Sequence, residues 1–318
     1  MPLSELVVDN LTSPAVLAFV LGVLAVAIRG DLRLPDQVSS LISVYLLLAI
    51  GIKGGTRLRG AGIADIWGPI LATLALGVIT PVLAYVAARH FGRLNITNAA
   101  SLAAHYGSVS AVTFTAAEAF NKNSGILDEG FLPALVAILE IPGIVVALVI
   151  ASRHLGSPMR TALHEVLTGK SVLLLGGGLV IGGVGSRDAV TAIEPFFVTL
   201  FPGFLCLFLL DLGTLAGQRF TYVRRTGFRL VILAIALPIL FGILGTIAGT
   251  AAGLSAGGAA VLAIMAASAS YIAAPAAVRA ALPEADLGVS LGAAIGVTFP
   301  FNLVFGIPLF SEFAQRIA

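Results

Sequence analysis

The sequence predicts an all-α membrane protein in which ten transmembrane helices form two inverted five-helix repeats, with helices four and nine broken and crossing at mid-membrane. Three observations lead there. Apolar residues make up 58% of the chain and charged residues 11%, with a mean hydropathy of +1.04, against roughly 45–50% and about 25% in soluble domains. Ten apolar stretches recur, each at or near the ~20 residues that a helix needs to cross a bilayer. Residues 99–113 (AASLAAHYGSVSAVT) and 259–273 (AAVLAIMAASASYIA) read as copies 160 residues apart, and each interrupts an apolar stretch with small polar residues.

The stretches lie near 12–28, 39–52, 64–88, 97–120, 131–151, 170–185, 193–215, 226–249, 257–281 and 287–310. Hydrocarbon offers no partner to a backbone N–H or C=O, so each must be a helix or part of a closed barrel. They are too long and continuous for barrel strands, which alternate over about 10 residues. The first follows Glu5 and Asp9 and precedes Arg29 and Arg33, the reverse of a secretory signal, and reads as a retained span. In the second, Leu46 to Gly51 (LLLAIG) resembles Leu207 to Gly213 (LFLLDLG) in the seventh. Pro81 in the third has a counterpart in Pro238 of the eighth, and Glu140-Ile141-Pro142 in the fifth matches Thr298-Phe299-Pro300 in the tenth. The fourth and ninth hold the copied segments. The sixth follows the longest polar connector, 152–169, which carries Arg153, His154, Arg160, His164 and Glu165. The chain therefore divides into a first repeat (1–151), the connector (152–169) and a second repeat (170–318). A repeat with an odd number of spans enters the membrane in the opposite sense the second time, so the halves are inverted about an axis in the membrane plane.

Loop Lys and Arg residues set the orientation. With the N-terminus outside, twelve of the eighteen fall in inner loops: Arg29, Arg33, Arg89, Arg93, Arg153, Arg160, Lys170, Arg219, Arg224, Arg225, Arg229 and Arg279. Lys53, Arg57, Arg59, Lys122, Arg187 and Arg316 fall outside. Both termini are then external and the connector is cytoplasmic, with the 53–59 cluster counting the other way. The net charge of +2 is too small to suggest nucleic acid. Cys206 stands alone, so no disulfide forms within the chain, and no Cys or His spacing suggests a transition-metal site.

In register, Ala99, Ala100, Leu102, Ala103, Ser108 and Ser110 fall on Ala259, Ala260, Leu262, Ala263, Ser268 and Ser270, with Gly107 on Ala267. The second half of a broken helix begins with unsatisfied N–H groups carrying about half a positive charge. Two such ends at Gly107, Ser108, Val109 and Ser110 and at Ala267, Ser268, Ala269 and Ser270 can converge on one small anion. Small residues also serve plain helix packing, but a packing seam has no need of a duplicated break. Intramembrane acids are candidates for function: Glu140 and Asp211 can each balance a cation or hold a helix end. His105 stands three residues from Ser108, as an intramembrane serine hydrolase requires, yet the second copy lacks the His. The breaks carry no carboxylate, which disfavours proton antiport.

The segments AAHYGSVSAVTF (103–114), LEIPGIVVAL (139–148), LFLLDLG (207–213) and ASASYIAAPAAVR (267–279) together resemble the sodium-dependent bicarbonate transporters best known from cyanobacteria. The resemblance runs over nearly the whole chain. It implies gate and core subdomains built from both repeats, a homotrimer in the plasma (inner) membrane, and bicarbonate bound where spans four and nine cross. It implies Na+ as coupling ion with no other cofactor; the oxygens of Ser108, Ser110, Thr113, Ser268, Ser270 and Asn98 are the candidate ligands. It also implies a PII-like protein that blocks transport from the cytoplasm, although the middle connector here is short beside that of the cyanobacterial relatives. A symporter of another small organic anion, and a non-transporting receptor or scaffold, remain the alternative readings.

Overall fold

The computed structural model describes residues 3–30, 32–155 and 159–318, and the side chains of all of these except 3, 63, 153–155, 159–162 and 221–226. Arg153, Arg160, Arg224 and Arg225, which enter the charge asymmetry above, and His154 of the connector have side chains outside the described residues. The regular structure among the described residues is all helical, without strands. In chain order the helices are α1 (Leu3–Leu11), α2 (Pro14–Ala27), α3 (Asp36–Leu58), α4 (Ile63–His90), α5 (Ile96–Gly107), α6 (Ala111–Asn123), α7 (Leu132–Leu155), α8 (Met159–Leu167), α9 (Lys170–Val184), α10 (Arg187–Glu194), α11 (Phe201–Thr226), α12 (Phe228–Ala251), α13 (Ala256–Ala267), α14 (Ala273–Ala281) and α15 (Leu287–Ile317). A π-helical turn, Pro195–Thr199, joins α10 to α11, and α15 carries two more at Gly292–Thr298 and Asn302–Gly306.

Among the described residues six helices are long and apolar enough to cross a membrane: Asp36–Leu58, Ala64–His90, Leu132–Ser152, Arg187–Phe220, Phe228–Ala251 and Leu287–Ile317. A seventh arises if Ser4–Leu11 and Pro14–Ala27, bent by 70°, count as one. Of the remaining stretches marked in the sequence, 170–185 forms the 15-residue α9. Stretches 97–120 and 257–281 are each divided into two short helices, α5 with α6 and α13 with α14.

The helices pack in two groups whose pairings repeat between the halves. In one group α2 lies against α11, and α3 against α9. Both pairs are parallel: Gly22 meets Leu210 to Thr214 while Val26 meets Gly217, and Gly51 meets Leu174 to Gly178 while Gly55 meets Leu179 to Gly183. The first helix of each half thus sits on the second helix of the other. In the second group α4 packs on α5 as α12 packs on α13, and α5 packs on α7 as α13 packs on α15.

Glycine makes the parallel seams possible. Water-driven burial is weak between helices in lipid, so close van der Waals approach of backbones carries the association. A Cβ on Gly213 would stand 2.1 Å from Phe19 O, one on Gly55 2.1 Å from Leu179 O, and one on Gly182 2.1 Å from Ile52 O. Gly176 and Gly177, one turn away on α9, meet nothing within 4 Å.

The 53–59 cations, which count against the charge asymmetry, are engaged by the protein. Lys53 Nζ pairs with Glu118 of α6 at 3.3 Å and lies 4.9 Å from the centre of the Phe201 ring. Arg59 donates to Gly183 O at 2.5 Å and also to Gly185 O. Its guanidinium thereby satisfies carbonyls that the end of α9 leaves open. The stem of Arg57 lies against Gly130.

Gly182→Val and Gly213→Val should therefore each destabilise the fold by about 1–3 kcal/mol or more through overpacking. Thermal unfolding of the purified protein in detergent checks this, with Gly176→Val expected to unfold like wild type.

Candidate functional site

Each break is a three-residue unit with the same chemistry. Gly107 ends α5, Ser108 is its C-cap in extended conformation, and Ser110 is the N-cap of α6, its Oγ accepting from Thr113 N–H at 3.2 Å. Ala267 ends α13, Ser268 is its extended C-cap, and Ser270 Oγ accepts from Ala274 N–H at 3.3 Å in the first turn of α14. The duplication in the sequence is thus a duplication of caps. The second break runs two residues further, through Tyr271 and Ile272, before α14 begins.

The breaks are hydrogen-bonded to each other. Ser110 N–H donates to Ser268 Oγ at 2.9 Å, and Ser270 N–H donates to His105 O at 2.7 Å. Ser268 Oγ in turn donates to Met265 O at 2.8 Å, and Thr113 Oγ1 donates to Ser110 Oγ at 2.7 Å. Ser108, Ser110, Thr113, Ser268 and Ser270 are all buried. Predicted site residues Gly107 to Ser110, Thr113 and Ala267 to Ser270 are therefore brought together in one place.

Span five supports the first break. Pro142 lies within α7 beside it, and Gly143 approaches so closely that a Cβ there would stand 1.8 Å from Gly107 O. One turn earlier, Glu140 is 3% exposed. Ser108 Oγ is shared between Glu140 O at 3.2 Å and Glu140 Oε2 at 3.3 Å. At the second break α15 plays this part: Asn302 Nδ2 donates to Ala267 O at 2.8 Å. Two further clasps tie α5 to α15, Ser101 with Ser290 at 2.8 Å and Tyr106 with Thr298 at 2.5 Å.

A small pocket, ≈10 Å³ and so with room for about one water-sized body, opens where the breaks meet the other helix group. Val109 to Ala111 line it from the first break, Ser270 to Ile272 from the second, and Glu140 from α7. Leu47 of α3 and Ser171 of α9 close it. Both α6 and α14 begin at this pocket, and the first-turn N–H groups of a helix have no intrahelical acceptor. The arrangement presents oxygen ligands and amide donors to a small ion, with no cationic side chain in the lining.

Two predicted residues lie apart. Asn98 is in the first turn of α5, with Gly107 at the opposite end; its Oδ1 accepts from Asp286 N–H at 2.8 Å, and Asn95 caps its own N–H. Nine rises of about 1.5 Å each separate it from Gly107 at the break. Asp211 accepts from Leu34 N–H at 3.1 Å and Ser39 Oγ at 2.6 Å, where its charge complements the start of α3. His105 Nδ1 donates to Ser101 O at 2.7 Å, and Ser108 turns to Glu140 instead, so no Ser–His dyad forms. Among the described residues no cluster of His, Cys, Asp and Glu suits a metal ion.

Ser171, Tyr271, Leu47 and Asn302 were not among the predicted site residues. Asn302, an amide within an apolar span, is a signal that polarity in a membrane segment offers; Ser171 stands at the head of α9 and becomes buried only by tertiary packing.

Ser268→Ala removes the acceptor of a buried N–H, which should cost about 1–3 kcal/mol. Asn98→Asp keeps its acceptor and should leave stability near wild type. Chemical or thermal unfolding of the two variants in parallel reads the difference.

No curated protein matches the chain. A family model matches residues 14–315 of the 318, covering both breaks, α7 and the whole pocket lining, and family and helices together make this a multi-pass membrane transport protein and not an enzyme: the chain belongs to the Na+-dependent bicarbonate transporter superfamily.

Proposed function

We propose that the protein is a sodium-coupled bicarbonate symporter that imports HCO3− by alternating access, with the anion held at the converging N-termini of α6 and α14. The observation that carries this reading is the reciprocal hydrogen bonding of the two breaks, Ser110 to Ser268 and Ser270 to His105. It places two helix N-termini, each with partial positive charge, at one buried point whose small residues let backbone approach a compact ion.

The repeated pairings support ten spans in two inverted repeats. The spans are then α2, α3, α4, α5 with α6, α7, α9, α10 with α11, α12, α13 with α14, and α15. The group of α2, α3, α9 and α11 corresponds to a gate and the remainder to a core that carries the breaks. Alternating access is a rocking of one group against the other around a fixed site, and the pocket lies on the boundary, lined by Leu47 and Ser171 from one side and the breaks from the other. The family relationship and the loop charges favour the plasma (inner) membrane, both termini outside, and a homotrimer. A PII-like regulator would act from the cytoplasmic face.

The energetics suit sodium coupling. Importing one anion against an inside-negative potential costs about 2.3 kcal/mol per 100 mV, and one accompanying Na+ cancels that electrical term. The sodium concentration gradient then drives uptake.

In proteoliposomes, ¹⁴C-bicarbonate should accumulate only under an inward Na+ gradient. Ser108→Ala and Ser270→Ala should reduce that uptake at least tenfold in protein that remains folded. Equal uptake in both variants would sink the crossing-site reading, and competition by small carboxylates without bicarbonate flux would favour an organic-anion symporter.

A further inference from the structure

Glu140 is the one acid in the pocket, and no side chain offsets its charge. Among the described residues three ion pairs form: Arg33–Asp36 and Arg316–Glu312 within single segments, and Lys53–Glu118 between α3 and α6. None involves Glu140, which is 3% exposed and has the Ser108 hydroxyl as its side-chain donor. A buried carboxyl group with no paired charge either keeps its proton or ionises to hold a cation.

A second observation points the same way. Ser171, 1% exposed, stands beside the Glu140 carboxyl, yet its Oγ completes no hydrogen bond of good geometry. Tyr271 stands likewise beside Ser110, its buried hydroxyl completing no hydrogen bond of good geometry. Buried polar groups are nearly always satisfied, and two exceptions lining one pocket are accounted for by a water or an ion seated there. The polar side chains here offer oxygen and no nitrogen or sulfur, the donor set of a hard cation. The room, ≈10 Å³, suits a dehydrated ion no larger than water; bicarbonate, with four heavy atoms, needs more.

We propose that the pocket between α7 and α9 is a Na+ site, with the Glu140 carboxylate and the Ser171 hydroxyl as ligands, filled before the anion arrives. The proposal rests on the sodium-coupled reading above and adds an order to it. Without the cation, Glu140 either holds a proton or, if ionised, opposes an incoming anion with a charge of the same sign. With Na+ in place the pair is neutral, and the half-helix ends of α6 and α14 act on the anion unopposed. Because Ser171 belongs to α9 and Glu140 to α7, the ion also bridges the two helix groups.

Thermal unfolding of the full-length protein in detergent tests this without any transport step. NaCl is titrated against choline chloride at constant ionic strength, with bicarbonate absent. A ligand that binds only the folded state raises Tm with concentration, so the wild-type protein should show a saturable Na+ shift. Glu140→Gln should lose the shift, and Ser171→Ala should move its midpoint at least tenfold higher. Added bicarbonate should raise Tm further only in the presence of Na+. Wild-type titrations in both variants would overturn the Glu140–Ser171 site while leaving sodium coupling intact. No Na+ shift in the wild-type protein would overturn sodium coupling itself. Should Glu140→Gln fail to fold, Ser171→Ala, a near-isosteric change, decides the matter alone.

Discussion

Two interrupted helices can be buried in a membrane only together. Hydrocarbon leaves every unpaired N–H or C=O at a cost of several kcal/mol, and each break opens a backbone that its own helix can no longer serve. Ser110 N–H and Ser270 N–H find acceptors on the opposite break. Span five and span ten then meet the carbonyl ends, Gly143 beside Gly107 and Asn302 on Ala267. The crossing, the close approach of Gly143 and the polar residues of α15 answer this single requirement. The result is a crossing fastened from both sides by hydrogen bonds.

The boundary between the helix groups is where the two kinds of packing differ. The α2–α11 and α3–α9 seams are glycine on backbone, dry and closely fitted. The contact with the breaks passes through hydroxyls, a carboxylate and a pocket with space left over. Lys53 and Glu118 add a half-buried ion pair across it. A tight seam holds a pair of helices as one body, whereas polar contacts of this sort can be exchanged for water or for ions at modest cost.

The repeat was legible in the sequence because it is written twice. Ser108 and Ser268 align and are both C-caps; Ser110 and Ser270 align and both cap a following helix. The register identified the duplication before any geometry existed, and the roles followed from the chemistry of short hydroxyl side chains at helix ends. Residues without a copy were harder. Ser171 follows Lys170 and has the pattern of an interfacial residue; its burial comes from the parallel seating of α9 on α3, a long-range fact. Asn98 immediately precedes the copied region and sits at the far end of α5 from the break, because nine residues along a helix is far in space. Asp211 holds a helix end, one of the two roles the sequence allows it, but the hydropathy of its span could not show that the end is that of α3. The length of the second break was hidden as well: Tyr271 and Ile272 are apolar enough to read as helix.

The exchanged seating of the halves governs how the protein can be made. α2 is completed by α11, and α3 by α9, so the earliest helices to leave the ribosome have their partners on segments synthesised well over a hundred residues later. Until those segments are inserted, the faces bearing Gly22, Gly51 and Gly55 are open to lipid and to neighbouring chains. The N-terminal half is therefore an assembly intermediate, not a domain, and a nascent chain must be protected from premature association through its glycine faces while its second half is still being threaded into the bilayer.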